Sequence, residues 1–591
     1  MSGKNLPARQ KLTHKSVRYS EDQFGSVTKG LVKTIFGLIL SVLIPLGCGA
    51  AFPTGDVPRY GIFERSFTHS GSYGNPYRDV SAAATFIQPD GRSQAIPLFW
   101  DGGSTWKVRF SPDAIGSWSW SVVSNDSGLN SASGSFNCVP SSNHGGILPL
   151  AGYPYHLQYQ DGTPYWLFGD TQWESFADEP SQNLTRNSMR HYFDVRAAQG
   201  FNYVHSQLFG QVRASNGGSN GKLNPAFYNY KAETINPAYF QEADFRIAYA
   251  NDRGITMGII ATEGHSSLAE NFLNSWDEFP NQAARLRYAR YVVARYSAYN
   301  VAFIVTTEWD GVEPSMRGAI SDVAARFDAI GLEMSKNDPH KRLLGIHDTH
   351  QHSNQAWFYG DPYGKWTTFG DYQQWYGYFR GTNEATPDSR KDLRDSLLRP
   401  RSGYPGNPNK PIVNGEYAYY LRDSDLDGIV DKQNSHNRTE FRRASWVLAM
   451  AGGYFVTGFA STYYGGWSGR GVPFDPDEPR NDVAITDLQN LKNFFTSREW
   501  WKWEPHDELV RANYGYCVAE IGQTYVVYVE ASNSVNLDLG GAPAGTYSVA
   551  LYDPRSGSYT SLPDYSGSGP VTLSPPDTQD WIFVVAARSL H

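Results

Sequence analysis

The sequence predicts a multidomain protein in which a central (β/α)8 TIM barrel is flanked by an N-terminal and a C-terminal β-sandwich. Three observations predict this. The chain has 591 residues, too many for one hydrophobic core and enough for about three or four domains. Both ends show the period-two alternation of strands, whereas the middle shows helices that end in glycine and lead into short apolar runs. About eight such runs can be counted in the middle, the number that closes a barrel.

The front of the chain reads as an export signal with a polar leader, residues 1–51. Lys29 and Lys33 precede an apolar stretch, Ile35 to Leu46, of signal-peptide length and too short to span a bilayer comfortably. Pro45-Leu46-Gly47-Cys48 is similar to a bacterial lipobox, with Pro45 where Leu is usual. A lipid anchor at Cys48 and free secretion are both open, and either places the protein outside the cytoplasm or at the cell surface. Cys138 and Cys517 are the only other cysteines, which excludes a disulfide framework and fits two buried thiols.

The N-terminal sandwich is expected over residues 56–142. Ala83-Thr85-Ile87, Ile96-Leu98-Trp100, Trp106-Val108-Phe110 and Trp118-Trp120-Val122 alternate at intervals set by turns such as Gln88 to Arg92. The barrel is expected over 145–500. Helices around Met189–Ala198, Phe240–Ala250 and Phe441–Met450 stop at Gly200, Gly254 and Gly452, where glycine permits the left-handed closing residue. The expected strands are Trp166–Gly169, Phe201–Gln207, Ile255–Ala261, Val301–Thr306, Leu343–His347, a weak one at Thr367–Gly370, Pro411–Gly415 and Tyr454–Phe459. Alternation returns over 501–591, as in Tyr525–Val529 and Trp581–Val585, and predicts the C-terminal sandwich.

Barrel chemistry gathers at the C-terminal ends of the strands. Those ends carry Asp170, His205 and Gln207, Glu263 and His265, Glu308 and Asp310, His347 and Asp348, Asp371, and Glu416 and Tyr417. Cleaving a glycosidic bond needs one group to protonate the leaving oxygen and one to attack or to activate water, and two carboxyls suffice. Glu308, at the fourth strand, and Glu416, at the seventh, are the candidate pair. Asp310 and Glu263 compete for the acid role. Asp170, His205, Gln207, Glu263, His347 and Asp348 are candidates for binding substrate hydroxyls, and Trp173, Trp309, Tyr417, Tyr464 and Trp467 for flooring sugar subsites.

Composition agrees with a carbohydrate partner. Aromatic residues make up 15% of the chain, and their flat faces stack on sugar rings. A net charge of -8 without a long basic run beyond the N-terminus argues against nucleic acid. Asp423-Ser-Asp425-Leu-Asp427-Gly428, with Asp431 beyond, repeats the spacing of a calcium loop, although Asn434 stands where a bidentate Glu is normal. A structural calcium ion and an acidic surface loop are both open there. No cofactor is required.

The motifs Tyr165-Trp-Leu-Phe-Gly-Asp-Thr171 with Trp173, Pro411-Ile-Val-Asn-Gly-Glu-Tyr417 and Tyr463-Tyr464-Gly465-Gly466-Trp467 together resemble the apiosidase-like family of barrel hydrolases. Trp106 to Asp113 with Gly116-Ser-Trp118 resembles the β-sandwich that often precedes such barrels. Asp553 to Gly557 with Asp580-Trp581 resembles a C-terminal collagen-binding-type β-sandwich. The resemblance implies a retaining glycosidase, Glu308 acting as acid/base and Glu416 as nucleophile, on plant or microbial polysaccharide or oligosaccharide side chains. Thr307 stands before Glu308 where the wider clan has Asn, which puts the usual contact to a substrate 2-hydroxyl in doubt. A non-catalytic carbohydrate- or matrix-binding protein on a barrel scaffold is the alternative, and a lyase or transglycosidase a third.

Overall fold

The computed structural model describes residues 55–178, 183–208, 226–227, 234–262, 276, 279–310, 319–348, 358, 363–374, 386–402, 409–421, 435–463 and 474–588. At its centre are eight parallel strands: β1 (Gly169–Thr171), β2 (Tyr203–Gln207), β3 (Thr256–Ile260), β4 (Val301–Ile304), β5 (Leu344–Gly345), β6 (Gly370–Gln373), β7 (Ile412–Glu416) and β8 (Tyr454–Thr457). They lie in the order β5-β4-β3-β2-β1-β8-β7-β6. A parallel bridge between His347 and Asp371 joins the two ends, and Thr368 N–H donates to the Leu344 carbonyl at 2.8 Å. The sheet thus closes on itself as a barrel.

The helices around it are α1 (Arg186–Ala198), α2 (Pro237–Asn251), α3 (Gln282–Tyr296), α4 (Ile320–Asn337), α5 (Pro387–Ser402), α6 (Arg438–Ala449) and α7 (Asp482–Thr496). Their starts are written in the sequence. Thr185 and Ser188 form a reciprocal capping box, and the side chains of Asn236, Asn281 and Asn437 accept from the first turns of α2, α3 and α6. Gly200, Gly254 and Gly452 all have positive φ, so the chain leaves α1, α2 and α6 through a conformation that a side chain would strain.

Two of the barrel strands are displaced from their expected positions. Trp166 lies in no strand and instead stacks on Phe495 of α7, centroids 4.6 Å apart, with an edge contact to Trp500. Its apolar run packs outside the ladder, and β1 begins at Gly169. The weak run at Thr367–Gly370 meets β6 only at Gly370, which places Asp371 inside that strand.

The N-terminal sandwich has a five-stranded sheet, in order Asp56–Pro58, Ser133–Val139, Gly116–Ser124, Ala82–Ile87 and Ser93–Pro97. It faces a three-stranded sheet of Phe63–Thr68, Thr105–Phe110 and Phe99–Gly102. Phe86 and Phe110 stack between the two at 4.0 Å. The run Ile96 to Trp100, expected as one strand, is two strands on opposite sheets with Leu98 between them. Buried charges tie this domain to the barrel: Arg109 pairs with Asp244 of α2 at 2.7 Å, and Arg295 of α3 pairs with Asp101 at 2.9 Å.

The C-terminal sandwich pairs a six-stranded sheet with a three-stranded one. It includes Ser558–Gly567, which is mostly exposed and lacks clear alternation, and Val571–Leu573, which alternates over only three residues. Glu530 and Asp580 are fully buried, and accept from Arg390 of α5 at 2.9 Å and Arg442 of α6 at 2.8 Å. Cys138 and Cys517 are both buried free thiols. Among the described residues no helix is long and apolar enough to cross a membrane.

Candidate active site

The strand tips bring four titratable side chains into the mouth of the barrel. Glu416 is the last residue of β7 and remains 9% exposed. Its backbone N–H donates to Asn414 Oδ1 at 3.2 Å, while Asn414 Nδ2 donates to the Gln374 carbonyl at 2.9 Å. Asn414 therefore fixes the tip of β7 against the end of β6. His347 Nε2 lies 3.7 Å from Glu416 Oε2, and His347 Nδ1 lies 3.4 Å from Asp371 Oδ2. His205, from β2 on the far side of the barrel, approaches the same Asp371 oxygen at 3.7 Å.

Gly415 makes this convergence possible. A Cβ there would stand 2.3 Å from Asp371 Oδ1 and 3.2 Å from His347 Nδ1, so the carboxylate occupies the space that glycine leaves. Gly258 plays the same part lower down, where a Cβ would fall 2.1 Å from the Tyr203 hydroxyl.

The two histidines titrate in opposite directions. Burial pushes His205 down to about 4, with Asp371 only partly opposing it, so the ring is neutral at physiological pH. Burial also disfavours charge on His347, but Asp371, Glu416 and Asp348 outweigh it and raise the ring to about 9. His347 is therefore an imidazolium between two acids. Next to it, burial and the neighbouring Asp310 push the Asp348 carboxyl well above the usual range, as expected where two buried acids cannot both ionise. Gln373 N–H donates to Asp348 Oδ1 at 3.2 Å. Behind Asp348 and Asp371 is a void of about 20 Å³, room for roughly one water.

Glu308 follows β4 with φ of +43° and is partly exposed, while Asp310 is 1% exposed beside Asp348. The structure thus separates two acids that the sequence left as rivals. Trp309 between them is buried edge-on against Phe358 at 4.8 Å.

Other candidates are placed as follows. Asp170 is fully buried; its carboxylate accepts from Arg196 Nε, the Tyr192 hydroxyl and the Thr171 N–H. That engagement makes it an anchor between β1 and α1 in place of a hydroxyl binder. Tyr417 is likewise turned into the core, stacked near Phe441 with its hydroxyl on Ser445 of α6, and cannot floor a subsite. Trp173 stands 5.3 Å from the His205 ring, with Nε1 donating to the Tyr419 hydroxyl at 2.9 Å. Gln207 ends β2, and its N–H donates to the Trp173 carbonyl. Glu263, His265, Tyr464, Trp467 and the acidic run Asp423, Asp425, Asp427 and Asp431 lie outside the described residues. Among the described residues no group of three or more His, Cys, Asp or Glu could hold a metal ion. Asp371 stood at a strand tip in the sequence without a role; only its approach to both histidines gives it one.

A larger cavity of about 660 Å³ lies between the N-terminal sandwich and α3, lined by Tyr77, Trp100, Trp106, Arg287 and Arg290 among others. Among the described residues no carboxyl lines it.

Residues 154–502 match the model of an apiosidase-like catalytic domain, more than half of the chain. The chain belongs to the apiosidase-like family. Flanking this apiosidase-like domain, residues 56–125 match a domain of unknown function (DUF5060), and residues 506–586 a candidate collagen-binding domain of a collagenase. A candidate glycoside hydrolase from Bacteroides vulgatus shares the fold at a TM-score of 0.67 and 18% identity, covering 90% of this chain and 100% of its own. A glycoside hydrolase family 5 protein from the same organism does so at 0.58 and 16%, covering 75% and 94%. No curated protein matches. Family and fold together support an apiosidase-like glycosidase with a carbohydrate substrate.

Proposed function

We propose that the protein is a retaining glycoside hydrolase acting on a plant or microbial polysaccharide or oligosaccharide, with Glu416 as nucleophile and Glu308 as acid/base. The observation that carries this reading is the placement of Glu416 at the tip of β7, beside the His347 imidazolium, with Glu308 just beyond β4 of the same barrel. In the first step the Glu416 carboxylate attacks the anomeric carbon. The bond to the leaving oxygen breaks as Glu308 donates it a proton, leaving a glycosyl ester on Glu416. In the second step Glu308 takes a proton from water, the water oxygen bonds to the anomeric carbon, and Glu416 is released. Glu308 makes both proton transfers and Glu416 the covalent bond, so no cofactor is needed. The N-terminal features fit export, either free or anchored through Cys48.

A screen of 4-nitrophenyl glycosides and plant polysaccharides tests the reading. Wild type should release sugar whose first-formed anomer, followed by proton NMR, has the configuration of the substrate. Glu416→Gln should lose activity by a factor on the order of 10³ or more while melting near the wild-type temperature. Full activity in Glu416→Gln would remove the nucleophile assignment, and an inverted first product would remove the retaining mechanism.

A further inference from the structure

We propose that His347 is a positioning residue that, oriented by Asp371, holds Glu416 as the reactive carboxylate. This rests on the reading of Glu416 as nucleophile and adds a device that keeps it ready. The geometry is specific. His347 presents one ring nitrogen to each acid, Nδ1 to Asp371 at 3.4 Å and Nε2 to Glu416 at 3.7 Å. It sits where β5 meets β6 through the His347–Asp371 bridge, so its backbone is fixed on the strand adjacent to its partner. Its own carbonyl accepts from the Trp309 N–H at 3.2 Å, which ties the ring's backbone to the segment that carries Glu308.

Among the described residues, the titratable groups facing the ring are these. Asp371 comes from β6, Glu416 from β7, Asp348 is next in the chain, and His205 from β2 stands 5.9 Å away between centroids. Burial keeps His205 neutral, so it adds no competing positive charge. Asp348 is pushed toward its neutral acid form by burial and by Asp310. That leaves one cation between Asp371 and Glu416. His347 Nε2 stands 3.7 Å from Glu416 Oε2, so its hold on Glu416 is electrostatic. An opposite charge at this range favours the ionised form of a carboxyl. The His347 cation thereby holds Glu416 in its carboxylate form.

The test has a readout that needs no substrate. Histidine labelled with ¹³C at Cε1 is followed by NMR across pH in the full-length protein, and the His347 signal is identified by its loss in His347→Gln or His347→Asn. In wild type it should titrate near pH 9, the value expected from its surroundings. Glu416→Gln and Asp371→Asn each remove an anion and should each bring it down by about one unit or more. Titration near the ordinary histidine value of ~6.5, or a value indifferent to Glu416→Gln, overturns the proposal. Where neither replacement of His347 folds, the His347 signal is assigned instead by through-bond NMR, and the two acid variants, which leave the ring in place, still decide the result.

Activity gives the second arm, measured on the 4-nitrophenyl glycoside that wild type cleaves fastest. In His347→Gln the acid limb of kcat/KM should move up by about one pH unit or more. A residue that merely packs would scale the whole profile down with its limbs unmoved, and that outcome also overturns the proposal. A nucleophile assigned wrongly would show itself separately, as undiminished hydrolysis by Glu416→Gln.

Discussion

Glu308 is held with φ of +43°, in the left-handed region where a residue with a Cβ costs about 1–3 kcal/mol. Such strain persists only where the surroundings impose it, and here it turns the chain between two acids two residues apart. Glu308 stays partly exposed, whereas Asp310 is buried next to Asp348. A general acid must exchange protons with solvent and substrate, which favours Glu308. Glu308→Gln should lower kcat/KM for a glycoside with a poor leaving group by about 10²–10⁴. It should spare kcat/KM, but not turnover, for substrates whose leaving group needs no proton, because the second step still needs the base. Asp310→Asn should cost much less; the reverse ranking in side-by-side kinetics would transfer the role to Asp310. The two glutamates could be found in the sequence because each follows an apolar run that ends abruptly in an acid. His347 was legible as a polar tip residue, but its charge was not. That charge depends on Asp371 and Glu416, which are distant in sequence and adjacent only once the barrel closes.

At the scale of single elements, β1 and α1 show how a buried charge fastens a strand to a helix. Asp170 of β1 and Arg196 of α1 are both fully buried and paired, with the Tyr192 hydroxyl on the same carboxylate and the Thr462 hydroxyl accepting from Arg196. Removing one partner of such a pair leaves an uncompensated charge, so Arg196→Met should destabilise the protein by about 3–5 kcal/mol. Thermal unfolding should show Asp170→Asn/Arg196→Met recovering part of that loss, and a purely additive result would deny the coupling. The elements most legible in the sequence are those with both ends marked. The helices begin at Thr185, Asn236, Asn281 and Asn437 and three of them close at glycine. Strands were harder. The apolar residues around Trp166 look like a strand, yet their partners are Phe495 and Trp500 from the far end of the barrel. The Ile96–Trp100 alternation conceals a crossing from one sheet to the other at Leu98. An alternating pattern reports which residues are buried; it carries no information about which sheet buries them.

Taken as a whole molecule, residues 55–588 are joined by buried contacts at both domain boundaries. Arg109, Arg295, Asp101 and Asp244 link the first sandwich to α2 and α3. Arg390, Glu530, Arg442 and Asp580 link the second to α5 and α6, with Trp446 stacked on Tyr528 at 5.9 Å. Exposing these groups by undocking a domain would leave charges unpaired and aromatic surface wet. Calorimetry should therefore show the barrel and the C-terminal sandwich unfolding in one transition, and a separate low-temperature peak for the sandwich would refute the docking argument. The three-part organisation was legible from the switch in periodicity along the chain. The ion pairs were not, because an isolated Arg or Asp in a sequence reads as a solvated surface residue. The bridge between His347 and Asp371 has one more consequence. It is the seam where the last edge of the sheet is sewn to the first, and one of its two residues, His347, also faces Glu416. A substitution at His347 therefore falls on the join that closes the barrel as well as on the neighbour of Glu416.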